Sequence, residues 1–119
     1  MSHVRVKVRL GHPDRPNQMV EVADALVDTG ASFTTVPRGM ANNLGLSSYR
    51  IRSATTAAGP IQVDESYALF DYDGHKAVTP IWVSDTYDGV LIGVFTLEAL
   101  GLAVDPSSGK LIDTEMLLL

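Results

Sequence analysis

One short run concentrates the chemistry of this chain: Ala25-Leu26-Val27-Asp28-Thr29-Gly30-Ala31-Ser32. An apolar stretch carries its only acid at the tip, followed at once by a hydroxyl and a glycine. Desolvating a carboxylate costs more than ordinary packing returns. An acid at the end of a buried strand therefore serves either chemistry or a structural hydrogen-bond network. Thr29 brings a hydroxyl that donates and accepts, and Gly30 lets a second backbone come close or takes a positive φ. The plain alternative is an Asx residue capping a turn where a strand ends in Asp-x-Gly.

The elements that must position this run are short. Val4–Leu10 alternates strictly and predicts a strand, with Arg5, Lys7 and Arg9 on its solvated face; Val20–Val27 predicts a second that delivers Asp28. Between them, Gly11-His12-Pro13-Asp14-Arg15-Pro16-Asn17 is turn chemistry. Pro37 fits the first position of a short helix that Gly45 ends after Leu44. Further strands are expected at Tyr49–Thr56, Ile61–Tyr72 and Ala77–Val83, joined by the small-residue turn Ala57-Ala58-Gly59-Pro60 and by Asp73-Gly74. Pro80 within the last of these implies an edge, a bulge or a kink. After a loop at Ser84–Gly89, Val90–Ile92 reads as a buried strand and Thr96–Leu100 as a short helix closed by Gly101. A last hairpin turns at Pro106–Gly109. Many short strands with two small helices point to an all-β, barrel-like domain.

A chain of 119 residues forms one domain, 1–119, too short for two lobes. Its 45% apolar and 19% charged residues are ordinary for a globular protein. The net charge of −5 disfavours nucleic acid or an anionic membrane as partner, because nothing offsets phosphate repulsion. Cysteine is absent, which excludes disulfides and thiolate metal sites. His3, His12 and His75 share no metal-ligand spacing and read as solvated turn or strand residues. The first residues lack an apolar signal core and no stretch approaches transmembrane length, so a cytoplasmic location is the default expectation. Trp82, between Ile81 and Val83, reads as core or interface packing, and Tyr67, Phe70 and Tyr72 as sheet packing.

The run at Asp28 resembles the active-site loop of retropepsin-like aspartic proteases: two apolar residues, then Asp-Thr-Gly-Ala/Ser-Ser. A second stretch, Val90-Leu91-Ile92-Gly93-Val94-Phe95-Thr96-Leu97-Glu98-Ala99-Leu100-Gly101-Leu102-Ala103-Val104, is similar to the second signature of that group, an apolar strand, a glycine and a short helix ending in Leu-Gly-Leu. The turn Asp105-Pro106…Gly109-Lys110-Leu111 resembles the small prokaryotic and archaeal members. The resemblance covers roughly residues 20–112, in the family's order. It implies an all-β closed barrel with one or two short helices, forming one subunit of a symmetric homodimer and needing no cofactor or metal.

The resemblance also assigns roles. Peptide hydrolysis by carboxylates takes two acids around one water. The chain has a single Asp-Thr-Gly, so the second acid would be Asp28 of another subunit, on the two-fold axis. Asp28 would activate the water, Thr29 would bond across the dimer, and Gly30 would let the two loops approach. Ala31 and Ser32 would present backbone to a peptide or protein substrate bound as an extended strand. Ala57, Ala58, Gly59 and Pro60 are placed like the flap that closes over substrate, although the glycine-rich flap of viral enzymes is absent. The arginine that viral members carry after the second glycine is also absent. Val94 and Phe95 stand there, and Ser32 and Phe33 replace the acids common after Ala31, as expected if an apolar contact replaces an ion pair. The apolar end Met116-Leu117-Leu118-Leu119, in a tail of 114–119, would form an interface strand or a frayed end. Three functions follow: a homodimeric endopeptidase of relaxed, hydrophobic-leaning specificity, a catalytically silent dimerisation or peptide-binding module on the same fold, or a β-barrel interaction domain with a chance Asp-Thr-Gly.

Overall fold

A computed structural model describes residues 4–114. Alternation makes the first pair: β1 (Val4–Gly11) and β2 (Val20–Val27) run antiparallel, Val4 opposite Val27 and Leu10 opposite Val20. Val8, Leu10, Val22, Ala25 and Val27 are buried, while Arg5, Lys7 and Arg9 face solvent. Next come β3 (Thr34–Pro37), α1 (Arg38–Asn43), β4 (Arg50–Thr56), β5 (Gly59–Tyr72) and β6 (His75–Ser84). The chain then forms β7 (Leu91–Ile92), α2 (Val94–Leu100) and a two-stranded hairpin of β8 (Leu102–Asp105) and β9 (Lys110–Asp113).

The main sheet has the order β1-β2-β7-β3-β6-β5-β4, and β1 also pairs with β5. Its core holds Phe70, Ile81, Val36, Ile92 and Val90, covered by Leu97 and Leu100 of α2. Phe70 thus packs as expected, whereas Tyr67 lies on the other face, edge-on to the exposed Tyr49 at 5.1 Å.

Three local expectations shift. Thr34–Pro37, not foreseen as an element, is a strand between β6 and β7. Pro37 is its last residue, opposite Ser84, with an extended ψ of 144°, so the helix begins one residue later at Arg38. The second helix begins at Val94, two residues before the expected start, because Gly93 turns the chain directly out of β7. Pro80 meets the expected edge: it pairs with Tyr67 of β5, but β6 pairs with β3 only from Ile81 onward, so on its other side no strand needs an N–H.

Candidate active site

Asp28 follows the last residue of β2 and is half-buried. Two bonds to the second signature fix its backbone: Leu26 N–H donates to Val90 O at 2.9 Å and Asp28 N–H to Ile92 O at 3.0 Å. β7 runs parallel to β2 here, Val27 opposite Ile92, so the two signatures lie side by side and each feeds a turn. The carboxylate folds back on its own loop: Asp28 Oδ1 accepts from Gly30 N–H at 2.9 Å, and Asp28 O accepts from Ala31 N–H at 3.1 Å. The Asx turn that rivalled a catalytic role therefore exists, and it leaves Asp28 Oδ2 outside any side-chain bond among the described residues. Thr29, Gly30 and Ser32 are exposed and Ala31 is half-buried.

The far side of the loop is held by α2. Val94 N–H donates to Ala31 O at 2.8 Å and Phe95 N–H to Ser32 O at 3.1 Å. Gly93 sits beneath, where a Cβ would stand 2.6 Å from Phe33 O and 2.7 Å from Ser32 O. Its φ is −92°, so space and not backbone conformation demands glycine here. A buried hydroxyl network lies below. Gly93 N–H donates to Thr34 Oγ1 at 3.0 Å, Thr34 meets Thr96 at 2.6 Å, and Thr96 meets Thr79 at 3.0 Å. These three threonines are at most 1% exposed, and their mutual bonds offset the cost of burying hydroxyls.

The apolar contact expected in place of an ion pair is present: Phe33 and Phe95 meet edge-to-face, with centroids 5.2 Å apart. Trp82, expected in a core or interface, is a half-buried residue stacked on Phe33 at 4.3 Å and 12°. Its indole N–H donates to Glu65 Oε1 at 3.0 Å. Glu65, which sequence reading passed over, is 2% exposed and also receives Arg50 Nε at 2.9 Å and Arg52 Nη1 at 3.3 Å. Burial opposes its ionisation, but the donors from Trp82, Arg50 and Arg52 outweigh that and hold the carboxyl below its usual value. The signal available in sequence was the pair Arg50 and Arg52 at strand spacing.

Arg50 and Arg52 begin the β4–β5 hairpin, whose tip is the expected flap segment. Ala57, Ala58 and Pro60 are exposed, and Gly59, with φ of +114°, closes the turn opposite Thr56. Thr56 Oγ1 donates to Gly59 O at 2.7 Å and accepts from Ala58 N–H at 3.2 Å, so hydroxyl bonds close the tip. Arg38 anchors the hairpin from α1, binding Asp85 through Nε and Nη2 and Asp64 through Nη1 at 3.1 Å. His75, expected to be solvated, instead pairs through Nε2 with Asp113 of β9, which raises its pKa above the ordinary value. The expected interface strand at Met116–Leu119 lies outside the described residues, as does His3.

A sequence model of the aspartyl protease family matches residues 6–71, more than half of the chain, and the chain belongs to that family. Among solved structures, EIAV protease complexed with the inhibitor HBY-793 is similar with a TM-score of 0.60 and 17% identity, over 98% of this chain and 94% of that one. The retroviral protease-like domain of Ddi1 from Leishmania major gives 0.59 and 14%, over 95% and 90%. A retropepsin-like aspartic protease from Rickettsia conorii gives 0.55 and 17%, over 87% and 83%. At these identities the likeness is one of fold, and that fold is retropepsin-like. No curated protein sequence matches significantly. No helix among the described residues is long and apolar enough to cross a membrane.

Proposed function

We propose that this chain is an aspartic endopeptidase, a single retropepsin-like domain that works as a symmetric homodimer with one Asp28 from each subunit. The observation that carries the reading is the loop itself. The only Asp-Thr-Gly of the chain sits at a strand tip, and backbone bonds from Val90, Ile92, Val94 and Phe95 hold it on both sides. That construction presents one carboxylate rigidly, and hydrolysis takes two. The double pairing of β1, with β2 and with β5, supports the closed barrel that such a subunit uses.

In the dimer the two carboxylates share a proton around one water, since like charges about 3 Å apart do not both ionise, as is known for aspartic-protease dyads. One Asp28 takes a proton from the water as it attacks the scissile carbonyl, and the other gives its proton to the carbonyl oxygen. The peptide lies as an extended strand beneath the Ala57–Pro60 tip, against the backbone of Ala31 and Ser32. Thr29 bonds across the two-fold axis, and Gly30 permits the approach of the two loops.

The test is cleavage of a mixed peptide library from acidic to neutral pH over a range of subunit concentrations, beside Asp28→Asn. Cleavage that rises more steeply than linearly with concentration and vanishes in the variant supports the reading. Silence of both proteins, with peptide still bound, favours the silent peptide-binding module. A strictly monomeric protein that cleaves overturns the shared-site mechanism.

A further inference from the structure

A single row of residues crosses the sheet beside Asp28. Leu26 lies opposite Leu91, Leu91 opposite Thr35, Thr35 opposite Trp82, Trp82 opposite Glu65, and Glu65 opposite Arg50. Paired residues share a face of the sheet, and alternation along β2 places Asp28 on the face of Leu26. The surface that carries Asp28 is therefore continuous with Trp82 and the base of the β4–β5 hairpin.

On that surface the Arg52 guanidinium stands 5.6 Å from the centroid of the Phe33 ring, on which Trp82 also stacks. Two guanidiniums meet one carboxylate there, so the patch carries an excess positive charge in a chain whose net charge is −5. Glu65 is occupied on both oxygens. Arg52 gives it one N–H group, and its side chain remains 37% exposed, with its other N–H groups lacking a protein acceptor among the described residues.

We propose that Arg52, lying over Phe33, determines substrate specificity, and that the cleft prefers a peptide with an aspartate or glutamate side chain flanking the scissile bond. An apolar side chain placed there strips water from guanidinium N–H groups and returns no acceptor. A lysine or arginine meets like charge. A carboxylate satisfies the planar donor fork, with Arg50 alongside. This rests on the endopeptidase reading for the presence of a peptide in the cleft, and it adds the class of peptide.

Trp82 is the only tryptophan of the chain, so its fluorescence reports occupancy without turnover. The probes are N-acetylated, C-amidated peptide pairs that differ only as Asp/Asn or Glu/Gln at each position about the cleaved bond; blocked ends remove the terminal carboxylate as a rival source. Binding is measured with Asp28→Asn and cleavage with the wild type. The expected result is a preference for the acidic member of about fivefold or more at one position, in both Kd and kcat/KM. Arg52→Gln abolishes the preference, Arg52→Lys retains its sign but weakens it by removing the planar fork, and Lys7→Gln, a charge removed on β1, leaves it unchanged. Equal binding of acid and amide, or a preference that survives Arg52→Gln, overturns the proposal. Acid-selective quenching without any cleavage overturns the peptidase reading and sustains the pocket, so the two failures differ.

Discussion

Asp28 owes its position to backbone groups, and the side chains below act by leaving room. Asp28→Asn keeps an oxygen for the Gly30 N–H, so the turn survives while the proton chemistry does not. The expected result is a loss of peptidase activity of about 10²–10⁴-fold or more, with an unchanged melting temperature by circular dichroism. Gly93→Ala fails for another reason. Its methyl group meets the Phe33 and Ser32 carbonyls, which belong to the backbone and cannot swing aside. Chemical denaturation is expected to register about 1–3 kcal/mol of destabilisation from such overpacking. Thr96→Val removes the hydroxyl between Thr34 and Thr79 and leaves their oxygens short of a partner. About 1–3 kcal/mol is expected there too, by the same measurement.

Among the elements, the hairpins are the parts tied down by few side chains. At Gly59 an added Cβ meets nothing, so Gly59→Ala acts through its φ of +114° alone. The tip reshapes, and kcat/KM is expected to fall while the melting temperature moves by no more than about 2 °C, since no core residue is touched. The β8–β9 hairpin is tied to the β5–β6 turn by His75 and Asp113. The folded pKa of His75 is raised, so this tie stabilises below the ordinary histidine value of about 6.5 and is lost as pH rises through the folded pKa. Wild type is therefore expected to melt above Asp113→Asn in mildly acidic buffer and to coincide with it in alkaline buffer. In an NMR titration, the histidine signal falls back toward its ordinary pKa in the variant. The strands themselves were legible where one face is apolar. Val20–Val27 was bounded correctly because its apolar run ends at the polar Asp28-Thr29-Gly30 turn, although its alternation breaks at Ala23–Asp24, where the register against β1 shifts. Thr34–Pro37 was not, because its buried positions hold Thr34, whose polarity is cancelled only by Thr96 and Gly93 from far along the chain. Glu65 was missed likewise: a lone acid in a strand reads as solvent-facing until three donors from β4 and β6 are assembled around it.

For the whole molecule, the two signatures disclosed the family and hence the fold, whereas strand order came only from the structure. Nothing in Leu91–Ile92 announces that two residues will run parallel to β2 and antiparallel to β3 at once. The proposed dimer predicts sedimentation of the chain as a two-subunit species, with specific activity falling on dilution below the dissociation constant. Dilution is expected to leave melting of the isolated subunit's sheet cooperative, because its core lies within one chain. The threading of β7 also bears on how the protein is made. A ribosome releases Asp28 long before Ile92, Val94 and Phe95, the residues whose backbone groups fix its loop. Such distant contacts form late in folding. If the proposed activity holds, nascent chains that already expose the Asp-Thr-Gly are then expected to be inert toward their neighbours on a polysome, the proposed centre arming itself only once the C-terminal third has emerged.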